Sequence, residues 1–242
     1  MSLAGVTSAT RSLPPILVVA ALVTSTGEAT AETSFGPPAT SAAWTARLVA
    51  PTPYSAVPAG ARTGVLQPFA PATGSSTTLL VLGSAVRNSD VWLNVRLPSR
   101  PNDASGWIRR DDAVLTRSAY RIEISTRRRL LTLLRAGQVV LRTRVVVGAA
   151  GTPTPHGLFA LYETVPLPRT EYAPYELQLT AHSDVLRAFD GGEGRVALHG
   201  MNGALRVPLG TSRSHGCVRL LPYTAWRLAH KLPLGSPVVI AP

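Results

Sequence analysis

The sequence predicts a mainly β protein with one short helix, arranged as a small barrel followed by a larger second domain. Three observations carry this prediction. Short apolar stretches recur with turn residues between them, residues 120–125 alternate with period two, and a helical period appears only past Pro222. The 21 prolines and the low aromatic content also favour strands and loops over a helical bundle. A length of 242 residues, 45% of them apolar, allows a real core in one large or two small domains.

Taken in order, residues 1–31 read as an export signal: Arg11 precedes the apolar run 13–23, and Ala29-Thr30-Ala31 offers a small-residue cleavage site. That run is too short to span a bilayer, which takes about twenty residues. Residues 32–43 mix Ser, Thr, Ala, Gly and Pro without periodicity and read as a disordered linker. The segment 44–116 forms a first module, with apolar stretches at 78–82 and 91–97 and turn signals at Pro58-Ala59-Gly60, Gly74-Ser75-Ser76 and 98–102. About five short strands are expected there, which make a small barrel.

The second domain is expected over 120–242. Tyr120-Arg121-Ile122-Glu123-Ile124-Ser125 is a half-buried strand, and 129–135 and 139–147 form a hairpin through Ala136-Gly137. Gly151-Thr152-Pro153-Thr154-Pro155-His156-Gly157 is a proline-stiffened turn before a strand at 158–161. The proline- and tyrosine-containing stretch 163–187 is either a lid or an ordinary connection. Val196-Ala197-Leu198 reads as a buried strand that delivers His199-Gly200 at its end. Past the cysteine, Pro222 fits the first turn of a helix whose apolar face is Ala225, Trp226, Leu228, Ala229 and Leu232. Gly235 stops the helix, and 236–240 closes the sheet.

Cys217 is the single cysteine of the chain. A lone cysteine is ordinarily a small buried hydrophobe, but here the neighbours are Ser214, His215, Gly216 and Arg219. A thiol needs an imidazole, a positive field or backbone N–H groups to act as a nucleophile, and this stretch supplies all three kinds of group. His199 is a second candidate base, and Gly216 lets the backbone turn so that amides can face an oxyanion.

His199-Gly200 followed by Ser214-His215-Gly216-Cys217-Val218-Arg219 resembles the signature of the L,D-transpeptidase family, whose YkuD-type domain cross-links bacterial peptidoglycan. The likeness covers roughly residues 120–242 and includes the Thr-Pro-Thr-Pro turn before a core strand. It implies a YkuD-type β-sandwich with Cys217 as nucleophile and His199 as base, oriented by the Gly200 carbonyl. It also implies an oxyanion loop of His215, Gly216 and Cys217. Ser214 and Arg219 become candidates for substrate contact, with Arg219 equally suited to stiffening the loop. Where a polar residue often follows that arginine by three positions, this chain has Pro222, which receives no role.

The implied reaction is acyl transfer from a tetrapeptide stem with release of D-Ala, giving 3→3 cross-links when the acceptor is a stem amine. Water as acceptor would make a carboxypeptidase. Sensitivity to carbapenem-type inhibitors follows from the same resemblance. In the first module, Trp92-Leu93-Asn94-Val95-Arg96-Leu97 followed by Gly106-Trp107-Ile108 resembles bacterial SH3-like wall-associated modules, so a non-catalytic wall-binding protein is the rival reading.

No cofactor is expected, because the sequence has neither a His/Cys cluster, with His182 and His230 read as structural, nor a glycine-rich phosphate loop. The formal charge of +11 is almost wholly arginine, since Lys231 is the only lysine. Those arginines are dispersed rather than banked in a stripe, which suits an anionic cell wall outside the cytoplasm and argues against nucleic acid.

Overall fold

The computed structural model describes residues 1–2, 34–167, 170, 172–189 and 191–242, and these are mainly β. All but the first two residues of the expected export signal lie outside the described residues. Among the described residues no helix is long and apolar enough to cross a membrane.

Seven strands form the first sheet: β1 (Ala43–Leu48), β2 (Thr52–Ser55), β3 (Arg62–Leu66), β4 (Thr78–Arg87), β5 (Asp90–Arg96), β6 (Ser105–Arg109) and β7 (Ala113–Ser118). Their order is β3-β2-β6-β5-β4-β1-β7. The first three residues of β4 pair with β1 and the remainder with β5, with a register shift between Val81 and Gly83. Handing one strand from one neighbour to another across a bulge is how a sheet turns a corner. Asn88 and Ser89, at φ 52° and 67°, make the tight turn from β4 to β5. Leu48, Leu79, Leu93, Val95 and Ile108 fill the core. The segment read as a disordered linker is tied down at Phe35. Its N–H donates to Ser84 Oγ at 2.7 Å, and its ring meets Trp44 edge-on.

Ten further strands follow: β8 (Tyr120–Ser125), β9 (Leu130–Arg135), β10 (Gln138–Arg144), β11 (Val147–Gly148), β12 (Gly157–Pro166), β13 (Tyr175–His182), β14 (Arg195–Gly200), β15 (Ser212–Ser214), β16 (Val218–Leu220) and β17 (Pro237–Ala241). Eight form a sheet in the order β10-β9-β8-β17-β12-β13-β14-β16, while β11 and β15 pair in parallel beside it. The β9–β10 hairpin turns on Ala136 and Gly137, both at positive φ, as a two-residue turn of matching twist requires. β12 repeats the device of β4, because its first four residues pair with β17 and the later ones with β13. Phe159, Leu161, Leu177, Leu198 and Val218 lie at the core of this sheet.

β17 closes the sheet from its middle, parallel to β8 and antiparallel to β12. One expectation needs correction. Helix α1 (Pro222–Lys231) begins on its proline and buries Thr224, Ala225 and Leu228, but Trp226 is 44% exposed. At helical spacing Trp226 falls with Tyr223 and His230 rather than with Ala225 and Leu228, and its ring packs between theirs.

The two sheets meet through a small apolar cluster of Ala43, Leu80 and Ala160 and through the buried Ser118–Ser236 hydroxyl pair. Glu163 of β12 is fully buried, and its carboxylate accepts from the N–H and hydroxyl of Thr73 in the first sheet's 67–77 loop.

Candidate active site

β14 and β16 run parallel, with His199 in register with Arg219. Side chains two residues apart along a strand share a face, so Cys217, just before β16, lies on the face that carries Arg219 and His199. All three line one cleft, and His215 of the preceding turn lines it too. The cleft continues past Glu176 and Gln178 of β13 as a space of about 410 Å³, and Pro71 and Ala72 of the first sheet form its far wall.

His199 is buried, and its Nδ1 lies 2.6 Å from the Gly200 carbonyl oxygen. A carbonyl can only accept, so Nδ1 carries the proton and Nε2 keeps a lone pair. Burial, opposed by the Gly200 hydrogen bond and aided by the charge of Arg219, brings the imidazole pKa down to about 4. Tyr172 packs edge-on against the ring at 4.8 Å. Gly200 must be glycine on steric grounds, since a Cβ there would stand 1.7 Å from the Ala173 carbonyl oxygen. Within the stretch considered as a lid, β12 and β13 are sheet strands, Tyr172 lies against His199, and Ser183 and Leu186 line the cleft.

Cys217 is partly exposed. Desolvation raises its pKa to about 11; a backbone hydrogen bond with Ala197 and the charge of Arg219 counteract this, whereas Glu176 adds to it. Gly216 adopts φ 121°, which favours glycine. Ser214, expected to contact substrate, instead clamps the turn. It is buried, its hydroxyl donates to the Cys217 carbonyl at 2.5 Å, and it accepts from the Gly216 N–H at 3.2 Å. That leaves the Cys217 N–H without a partner among the described residues. Arg219 is buried, donates through Nη1 to the Leu205 carbonyl at 3.4 Å, and has no partner for Nε among the described residues.

The Thr-Pro-Thr-Pro turn, to which the sequence reading gave no chemistry, backs the cysteine loop. Thr154 is buried, and its hydroxyl accepts from Gly148 N–H and donates to the Gly216 carbonyl, both at 2.9 Å. Thr152 donates to the Ser214 carbonyl at 3.1 Å. His156 is exposed and meets Thr126, His230 of α1 packs against Trp226 one turn earlier, and His182 is buried beside Glu193. Trp107 of the first sheet is half-buried. Among the described residues no cluster of His, Cys, Asp and Glu could hold a metal.

The profile of the YkuD L,D-transpeptidase catalytic domain matches residues 119–240, half of the chain. The chain belongs to the YkuD family. A Bacillus licheniformis protein carrying the name L,D-transpeptidase YkuD is 28% identical over 123 residues, 51% of this chain and 66% of its own length. Among solved structures, an L,D-transpeptidase from Stackebrandtia nassauensis is 21% identical with a TM-score of 0.38, over 51% of this chain and 55% of that one. L,D-transpeptidase 3 from Mycobacterium tuberculosis, solved with a faropenem-derived adduct, is 14% identical with a TM-score of 0.43, over 63% and 91%. The YkuD chain described here thus spans just under two thirds of the Bacillus relative and little over half of the Stackebrandtia one.

Proposed function

We propose that the protein is a cysteine-dependent L,D-transpeptidase that forms 3→3 cross-links in peptidoglycan outside the cytoplasm. The observation that carries this reading is the shared face of His199 and Cys217 on β14 and β16, with the imidazole oriented by Gly200 so that Nε2 is a proton acceptor. His199 Nε2 takes the thiol proton as Cys217 Sγ attacks the carbonyl carbon of the third stem residue. Collapse of the tetrahedral intermediate breaks the C–N bond to D-Ala, whose amine leaves with that proton, and a thioester remains. The acceptor amine then attacks the thioester, gives its proton to His199 and forms the new amide, and the sulfur leaves to be reprotonated.

Cys217 N–H is the amide available to the oxyanion, and an oxyanion-hole donor contributes about 2.7–4 kcal/mol in enzymes of this kind. The Gly216 amide joins it only by releasing Ser214. Arg219 is the candidate for a substrate carboxylate, because its Nε is unpaired and it lines the cleft. The same acylation by a strained lactam underlies the expected sensitivity to carbapenem-type inhibitors. The first sheet is read as an SH3-like wall module on its short strands and on the β5–β6 pairing of Asn94 with Trp107.

The test is incubation of residues 32–242 with a disaccharide-tetrapeptide, followed by mass spectrometry, beside Cys217→Ala and His199→Ala. A dimer lighter by one D-Ala, absent in both variants, is expected. Tripeptide without dimer would identify a carboxypeptidase, and unchanged substrate would favour a wall-binding protein.

A further inference from the structure

One wall of the cleft is a stretch without regular secondary structure between β13 and β14, of which Ser183, Leu186, Phe189 and Gly194 face the space beside Cys217. Its internal skeleton is thin. Ser183 N–H donates to the Gly194 carbonyl at 2.8 Å, Phe189 and Gly192 exchange backbone hydrogen bonds, and Ser183 Oγ receives the Val185 and Leu186 amides. Phe189 reaches the nucleophile loop, its ring centroid 5.1 Å from that of His215.

Further polar groups of this wall are satisfied from the first sheet, by the loop between β5 and β6. Arg100 Nη1 donates to the Ser183 carbonyl at 2.7 Å, and Nη2 to those of Leu186 and Glu193 at 3.2 and 3.1 Å. Asn102 Oδ1 accepts the His182 N–H at 2.7 Å, and Nδ2 donates to the His182 carbonyl and to Asp184 Oδ1, both at 2.8 Å. Arg195 completes the contact from the other side by donating to the Pro98 carbonyl at 3.1 Å. Gly194 has φ 72°, and a Cβ there would stand 2.0 Å from the Leu186 carbonyl oxygen, so the carbonyls under Arg100 are drawn too close for a side chain.

We propose that Arg100 and Asn102 are positioning residues of the acyl-transfer site, holding the cleft wall at the place where a stem peptide lies against Cys217. A planar guanidinium satisfies three converging carbonyls at once, which a lysine ammonium on a flexible stem does not reproduce. This inference rests on the acyl-transfer reading for its substrate and on the geometry alone for the clamp.

The test uses the full chain with Arg100→Ala, Arg100→Lys and Asn102→Ala, and Arg109→Ala as control, since Arg109 only pairs with exposed Asp90. Hydrogen exchange and tetrapeptide kinetics are measured together. Arg100→Ala is expected to raise donor KM about tenfold with kcat within about twofold, the pattern of lost ground-state positioning. Amides of 183–189 and 191–194 are expected to exchange about tenfold faster while β8 and β9 are unchanged. Arg100→Lys should follow Arg100→Ala, and Asn102→Ala should shift both readouts the same way by less; it carries the test if the arginine variants fail to fold. Wild-type KM and exchange in these variants, or acceleration spread over every strand, would overturn the proposal. Should the unmodified chain turn over no tetrapeptide, acyl transfer is refuted and exchange alone decides: acceleration confined to this wall supports the clamp, and unchanged exchange rejects it.

Discussion

His199 is kept in the form a base needs by burial rather than by a charged partner. With its pKa near 4 and that of Cys217 near 11, both groups are uncharged at neutral pH, so in the proposed mechanism the thiolate arises only as the proton crosses to Nε2. The same burial links His199 to stability. Above pH 6.5 the imidazole is neutral in folded and unfolded chains alike. Between 6.5 and about 4 only the unfolded chain takes up the proton, so stability falls as pH falls, by about 3 kcal/mol once both forms are protonated. Urea midpoints at pH 7, 6 and 5 should therefore decline, and His199→Gln should remove part of the slope. His182, whose pKa is also lowered by burial, adds to the slope in the same direction. An identical slope in the variant would show that the buried state of His199 is not what couples to pH. Cys217 and His199 were legible in the sequence as candidates, because a thiol among Ser, His and Gly is chemically conspicuous. The clamp made by Ser214 was not, since its partners are backbone groups that every residue of the turn carries.

At the scale of elements, the loop that carries Cys217 is shaped as much by the turn before β12 as by its own residues. Thr154→Val keeps the volume but strands Gly148 N–H and the Gly216 carbonyl, a cost of about 1–3 kcal/mol. Displacing the Gly216 backbone misplaces the sulfur, so kcat should drop about tenfold or more. Thr154→Ser, which retains the hydroxyl, should stay near wild type in urea midpoint and turnover; equal losses in both variants would show that the hydroxyl is immaterial. Prolines and glycines made the turn itself readable. Its task was hidden because Gly216 lies 62 residues further along the chain, and local pattern carries no trace of such a pairing. Trp226 failed for the opposite reason: an aromatic near an apolar stripe was counted with that stripe, whereas it stacks outward with Tyr223 and His230.

At the scale of the whole molecule, the described residues from Ser34 onward form one compact unit, and the second sheet leans on the first at Ala160, Glu163 and Ser236. A fragment of residues 119–242 would uncover that buried carboxylate and lose Arg100. Its Tm, read by circular dichroism, should lie about 10 °C or more below that of residues 32–242, several kcal/mol for a chain this size. Matching Tm values would mean that the first sheet adds nothing to the second. Strands and turns of both sheets were legible from periodicity and punctuation, but their mutual support was not, because it depends on groups such as Thr73 and Glu163 that look like ordinary surface polar residues. The central place of β17 has a consequence for synthesis. β8 and β12 are joined only through Pro237–Ala241, so a ribosome-bound chain that has emerged as far as α1 holds two half-sheets with a gap between them. Cys217 is already translated at that point, yet the sheet beneath it stays divided until β17 follows.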